Sequence, residues 1–457
     1  MTKKELWKLV KILKSENERF KAENAKLLLR IEELERKLKI NSSNSSKPPS
    51  SDGLRKKPSP KSLREKTNKK FGGQVGHEGN TLKQFSDPDF EIVHSPAVCS
   101  ACGNSLTEVD SVDEVKRQEV DIKVERQVVQ HKSLVKVCKC GKRNIGDMPQ
   151  HLIAPIQYGP NIRALAVYLS TQQFIPKQRS QEFFRDMFQI PISETSLISF
   201  DTECAKRLRE FSVLSLEAIK KSEISHLDET GYRIQGKTQW AHVASTERLT
   251  FYAASEKRGL RHEGFSGTVV HDFWKPYFTM ENVNHALCNA HILRELKAVN
   301  DIDKEDWAGE MFKLLQDASK YHNLSIEQIN KVEQSYDKIV KEAIFIHERL
   351  GPPVKGSRKK RVGHNLLLRL QTYKTDILRF LSDPSVPFTN NLAERDLRMI
   401  KVKQKISGCF RTEDGAHTFL QIRAFISSAK KQAKNVFYAL LDVMTGSSFD
   451  CAPFIPD

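Results

Sequence analysis

Four short apolar runs between residues 223 and 272 constrain this chain more than any other feature, because two of them run into an aspartate. Ile224 to Leu227 leads to Asp228. Gln239 to Ala244 and Leu249 to Ala253 follow with turn residues between them, and Gly267 to Val270 ends in His271 and Asp272. Runs of this length, bounded by turns, read as buried strands. A carboxylate without a partner at the end of an apolar strand is costly to bury. Taken singly, each acid would pass for a solvated or salt-bridged surface group; taken together they call for a use.

Three successive strands and then one more bearing a carboxylate fit the start of an RNase H-like sheet, which places one Asp on its first strand and another beside it on the fourth. Phosphodiester cleavage in such sites uses two divalent ions about 3.5–4 Å apart. Mg2+ needs oxygen ligands, so acids have to be gathered from distant segments. The third is expected on a helix toward the C-terminal side, and Asn390 to Arg398 supplies it. Asn390 or Asn391 can cap that helix, and Glu394, Leu397, Arg398 and Lys401 fall on one of its faces.

At 457 residues the chain is too long for one core, so several domains are expected. Lys and Arg total 74 against 57 Asp and Glu, a formal charge of +17. A surplus of that size points to a polyanionic partner, nucleic acid first, or else to a basic surface that serves solubility. No apolar run reaches the roughly 18 residues of a membrane helix, and the N-terminus lacks the apolar stretch of a secretory signal. A cytoplasmic, nucleoid-associated protein is the expectation. Its eight cysteines then read as metal ligands or buried thiols.

Residues 3–39 carry heptads, with Leu6, Leu13, Phe20, Leu27 and Leu34 at one core position and Val10, Asn17, Asn24, Ile31 and Leu38 at the other. This predicts a parallel two-stranded coil whose core asparagines set register, or else one amphipathic helix packed on the body. Residues 41–85 turn to Asn, Ser, Lys and Pro, a linker or a basic arm. Cys99 and Cys102, then Cys138 and Cys140, are each followed by glycine, and four thiolates on two turns suit a structural Zn2+. Val120, Ile122 and Val124 alternate with charged residues between the pairs, as a strand would. After Pro176 a short helix to about Phe188, a break at Ile190 to Ile192 and a helix capped by Ser193 outline a helix-turn-helix, with Lys206 and Arg207 as candidate DNA contacts.

The stretches His226 to Gly231, Val270 to Tyr277 and Asn390 to Arg398 resemble the three catalytic blocks of DDE transposases, most closely insertion-sequence family sixty-six, transposase C type. Asn44 to Gly53 with Gly72 to His77 resembles that family's linker signature, and Cys288 to Leu296 the block after its second Asp. The likeness spans nearly the whole chain. It implies Asp228, Asp272 and Glu394 as a triad for two Mg2+ (or Mn2+) ions, Lys401 as a DNA contact beside Arg395 and Arg398, and two small accessory proteins of the same element. Cys288 and His291 match a C-x2-H signature; two ligands make no zinc site, so with Asn391 they read as structural or auxiliary. The chain departs from the family in spacing its second cysteine pair by one residue and in placing Gln189 where a glycine is common.

The reading is thus a multidomain α+β protein. It has a coiled coil (1–40), a basic linker (41–85), a zinc-ribbon-like β module (86–150), a helical DNA-binding region (155–220), and an RNase H-like core (221–291 and 386–457) interrupted by a helical insertion (292–385). The expected function is a transposase that self-associates through the coil, binds its element's terminal repeats and a target, and cleaves and joins strands. A non-catalytic DNA-binding regulator or another RNase H-like nuclease are the alternatives.

Overall fold

The computed structural model describes residues 2–41, 44–45, 81–259, 263–321, 324–350, 360–446 and 448–455. Most of the linker, with Gly72 to His77, lies outside them, as do Arg358 and Lys359 of the basic run Arg358 to Arg361, which reads in sequence as a DNA contact or a solvated loop. The chain divides into a larger unit (1–61, 131–186 and 190–457) and a smaller one (62–130 with 187–189).

In the smaller unit, an isolated antiparallel bridge between Val98 and Ser105 closes the turn of Cys99 and Cys102. Gly103 takes φ +77° there, a left-handed value that favours glycine. Residues 120–125 form no ladder, contrary to the strand their alternation implies, and Val120, Ile122 and Val124 are exposed. Alternation yields a strand only where one face has something to pack on.

The larger unit opens with α1 (Lys3–Lys39), a single long helix. Its heptad residues Leu6, Leu13, Phe20, Leu27 and Leu34 are exposed along its length. Near its end Arg36 pairs with Asp303 at 3.0 Å. A short hairpin, β1 (Val135–Val137) and β2 (Arg143–Ile145), carries the turn of Cys138 and Cys140. Four helices follow: α2 (Pro160–Val167), α3 (Lys177–Phe188), α4 (Glu194–Arg207) and α5 (Arg209–Lys221). Ser193 caps α4, accepting the Ser196 N–H at 3.0 Å. Gln189, between α3 and α4, holds φ +56°, the conformation for which glycine is the easier residue.

The sheet consists of β3 (Ile224–Ile234), β4 (Lys237–Ser245), β5 (Thr250–Ser255), β6 (Thr268–His271) and β7 (Asn284–Leu287). Its order is β5-β4-β3-β6-β7. The first three strands form an antiparallel meander, while β6 and β7 run parallel to β3 and to each other. Asp228 therefore lies inside β3 and not at the strand's end, since pairing with β4 carries the ladder on to Ile234. The apolar run stops at Leu227 because parallel pairing with β6 stops there too, its last pair being His226 with Val270.

Beyond β7 come α6 (Asn289–Ala298), α7 (Asp306–Ala318), α8 (Ile326–Leu350), α9 (Val362–Thr372) and α10 (Lys374–Ser382). They share one core, with Leu293, Leu296, Met311, Leu315, Tyr336 and Leu370 among its buried members, and it reaches the sheet through Leu287 of β7. The chain then returns as α11 (Asn391–Ser407), α12 (Glu413–Lys431) and α13 (Val436–Met444). Ala393, Leu397 and Ile400 of α11 pack on Tyr232, Ala241 and Val243 of the sheet, with Phe419 and Leu420 of α12 completing that cluster. No helix among the described residues is long and apolar enough to cross a membrane.

The position of α11 is set by one buried charge. Asp396 accepts hydrogen bonds from Ser245 Oγ (2.6 Å), Thr250 Oγ1 (3.1 Å), Ser427 Oγ (2.8 Å) and Lys431 Nζ (2.8 Å). Those four partners sit on β4, β5 and α12, so one carboxylate ties three elements to α11. Lys431 also donates to the Thr246 and Leu249 carbonyls. Removing one partner of a buried pair leaves the other charge uncompensated, at a cost of about 3–5 kcal/mol. Asp396→Ala is expected to lose about that much in urea unfolding, and a loss below about 1 kcal/mol would show that the network does not anchor the helix.

Candidate active site

The strand order brings Asp228 and Asp272 together. His226 pairs with Val270 in the parallel ladder, and each aspartate lies two residues further along its own strand direction. Side chains two apart share a face, so the two carboxylates project from one face just past the last pair of the parallel ladder, near enough for Asp272 to act on Asp228. Asp228 Oδ1 accepts the Glu229 N–H at 2.8 Å, and Asp272 Oδ1 accepts the Trp274 N–H at 2.9 Å. Among the described residues neither has an ion-pair partner. Burial, then the charge of Glu229, pushes Asp272 up to about 6. Burial followed by Glu229 and Asp272 raises Asp228 well above the carboxylate range.

Glu394 comes from α11, in its first turn. There the helix dipole favours a negative charge. Burial raises its pKa, while Arg294 and Arg398 pull it down. It lies within the electrostatic reach of both aspartates. The three acids do not, however, crowd into one ligand sphere: among the described residues, the set of three with ligand atoms all within 4.8 Å is Cys288, His291 and Glu394. Two ions about 3.5–4 Å apart spread their ligands more widely than one ion does.

Asn390 links the segments. Sequence reasoning offers it as a helix cap, but its side chain makes no capping bond. Its Nδ2 donates instead to the Leu227 carbonyl at 2.7 Å, and its Oδ1 meets His226 Nδ1 at 2.9 Å. Burial lowers the pKa of His226, favouring a neutral ring whose Nδ1–H is the donor. The Asn390 N–H donates to Cys288 Sγ at 3.1 Å. One residue thus touches the segment just before Asp228, the end of β7 and the turn that carries Glu394. Asn391, the first residue of α11, is exposed.

Sequence reasoning missed Glu229, hidden by its neighbour Asp228. Its side chain is 1% exposed, with Oε1 taking Arg258 Nε (2.8 Å) and Nη2 (2.6 Å) and Oε2 the Tyr277 hydroxyl. Arg258 in turn stacks between Trp240 (5.2 Å) and Trp274 (4.7 Å). This acid keeps a cation, whereas the donors to Asp228 and Asp272 among the described residues are backbone N–H groups.

The expected DNA contacts divide. Arg395, Arg398 and Lys206 are exposed. Lys401 places its ammonium on the Gly231 carbonyl of β3 and is half-buried. Arg207 pairs with Glu203 at 2.9 Å and donates to the Gly446 carbonyl at 2.9 Å, so it fastens α4 to the end of α13. The cysteine pairs belong to different units. In each, the chain curls back on the first thiol, with the Gly103 N–H on the Cys99 carbonyl and the Gly141 N–H on that of Cys138. Backbone N–H groups lower both first thiols, those of Ala101 and Cys102 acting on Cys99 and that of Cys140 on Cys138.

The aspartate pair makes folding sensitive to pH. A carboxyl whose folded pKa is raised holds its proton more tightly in the folded chain. Its contribution is full below the ordinary carboxylate range and is lost as pH rises through the folded value, about 6 for Asp272. In chelator, Asp272→Asn should therefore gain in melting temperature on the wild type between pH 5 and 8. Parallel melting curves for the two chains across that range would show that Asp272 is not a strained charge.

The family described as Transposase IS66 family matches residues 155–418, a span that holds Asp228, Asp272, Cys288, His291, Asn390 and Glu394. Residues 1–83 match a family of unknown function, DUF6444. No curated protein matches the chain. With more than half of its length covered by a single match, this chain belongs to the IS66 family of transposases.

Proposed function

We propose that this chain binds the ends of its insertion sequence and catalyses strand cleavage and transfer, with Asp228, Asp272 and Glu394 holding two Mg2+ (or Mn2+) ions. The observation that carries this reading is the pair of buried aspartates at matching positions on neighbouring parallel strands, neither with an ion-pair partner among the described residues. Like charges so placed are costly, and hard divalent ions are what an all-oxygen set of this kind accepts. The strand order, an antiparallel meander joined to two parallel strands, supports an RNase H-like core.

When bound, such ions activate the attacking water or 3′-hydroxyl and stabilise the leaving oxygen. The chain's part is placement. Asn390 holds the first turn of α11 against the segment preceding Asp228, and Asp396 holds the next turn on β4, β5 and α12. Glu229 keeps Arg258 on its own carboxylate and its negative charge near both aspartates, which strengthens their demand for a cation. Arg395 and Arg398, exposed on α11 beside Glu394, supply charge for the DNA backbone, as does Lys206 on α4.

Labelled element ends incubated with Mg2+ test the chemistry. The wild type should cleave them, and Glu394→Gln should be slower by about a hundredfold or more, as for loss of one preorganised charged group. Equal rates would sink the triad, and wild-type binding without cleavage would point to a regulator.

The open heptad stripe of α1 supports self-association through a parallel coil, which would pair two element ends. Replacing Leu13 and Leu27 with Glu should halve the mass seen by light scattering. An unchanged mass would place the oligomer contact elsewhere, or show that the chain has none.

A further inference from the structure

Cys288 is the last residue before α6, His291 lies in that helix's first turn, and Glu394 lies in the first turn of α11. Their ligand atoms all fall within 4.8 Å of one another, with His291 Nδ1 and Glu394 Oε1 at 3.8 Å. Both of those atoms are buried and make no hydrogen bond. A buried polar atom without a partner costs about 1–3 kcal/mol, and here two of them, an acceptor and a ring nitrogen, face the same spot. The third corner is a sulfur that already accepts the Asn390 N–H, the kind of bond that steadies a metal thiolate.

We propose that Cys288 Sγ, His291 Nδ1 and Glu394 Oε1 bind one soft divalent ion, Zn2+ in the first instance. A tetrahedral zinc with ligands at about 2.0–2.3 Å sets its ligand atoms roughly 3.3–3.8 Å apart, so the present triangle needs only small side-chain movements to close. Sulfur and imidazole discriminate against Mg2+. Binding takes the neutral imidazole as it is and releases the thiol proton to solvent. Three protein ligands leave a fourth position for water.

The ion would tie the start of α6 to the start of α11 and fix one oxygen of Glu394. The other oxygen remains for the ions beside Asp228 and Asp272. Glu394 would thus be a shared ligand held by a zinc that takes no part in the chemistry. The site shares Glu394 with the proposed cleavage centre, but its test does not depend on that reading, since the zinc content of the chain is read without any DNA.

The full chain, reconstituted with Zn2+ and dialysed against excess Mg2+, is compared with Cys288→Ser and His291→Gln for bound zinc by elemental mass spectrometry. Circular dichroism checks that each variant folds. Each folded variant should hold one equivalent fewer than the wild type, and equal zinc in folded variants overturns the site. Should both variants fail to fold, cadmium-113 NMR of the wild-type chain decides. A resonance in the single-thiolate range is expected, and its absence overturns the proposal.

Discussion

The bonds made by Asn390 hold together three parts of the chain that lie far apart in sequence. Its carboxamide engages His226 and the Leu227 carbonyl, while its own N–H reaches Cys288. All three contacts are buried, so water cannot replace them and the cost of losing each is the full desolvation of a polar group. One carboxamide fits because it offers donor and acceptor a fixed distance apart. Aspartate would lose the donor to Leu227, and a longer side chain would displace the turn.

Around this clamp the charges fall into a sequence of decreasing compensation. Asp396 is fully matched, by a lysine and three hydroxyls. Glu229 has one arginine and one phenol. Glu394 feels Arg294 and Arg398 only through space, and Asp228 and Asp272 rely on backbone N–H groups. A structural acid in a folded chain is expected to resemble the first case. Buried acids of the last kind mark a candidate functional site, which accords with the two-ion reading proposed for them.

The strands were legible, and the acids stood out as candidates, because both rest on local pattern. Apolar runs mark buried strands wherever they occur, and Asp228 and Asp272 stand where such runs stop. Glu394 was legible only through helical periodicity and family likeness. Glu229 was not, because strand alternation assigns it to the opposite face from Asp228, and its charge matters through distance. Asn390 read as a cap, since nothing local says that a side chain will reach past its own helix to a strand far back in the chain. Asp396 was silent for the same reason, its partners being spread over residues 245 to 431. Val120, Ile122 and Val124 show the converse, a local pattern with no surface to realise it.

The distance in sequence between Asp272 and Glu394 has a physical explanation in the helices α6 to α10. They bury one core, which reaches the sheet through Leu287 of β7, while Phe380 of α10 packs beside Val270 and Ala286. The chain leaves the sheet at Cys288 and returns at Asn390, and those two residues are bonded to each other. Beside them the Asn289 N–H donates to the Phe388 carbonyl at 3.1 Å, and Asn289 Nδ2 to that of Ile377 at 3.0 Å. The excursion is therefore closed at its neck. Closure entropy grows only slowly with the length of the loop enclosed, so once the neck is bonded the size of the intervening domain hardly affects where Glu394 stands. The clamp that positions the third acid and the neck that closes the helical insertion are the same few bonds. A change within α7 to α9 should then be felt as a loss of local stability, whereas a change at Cys288, Asn289 or Asn390 reaches the acids directly.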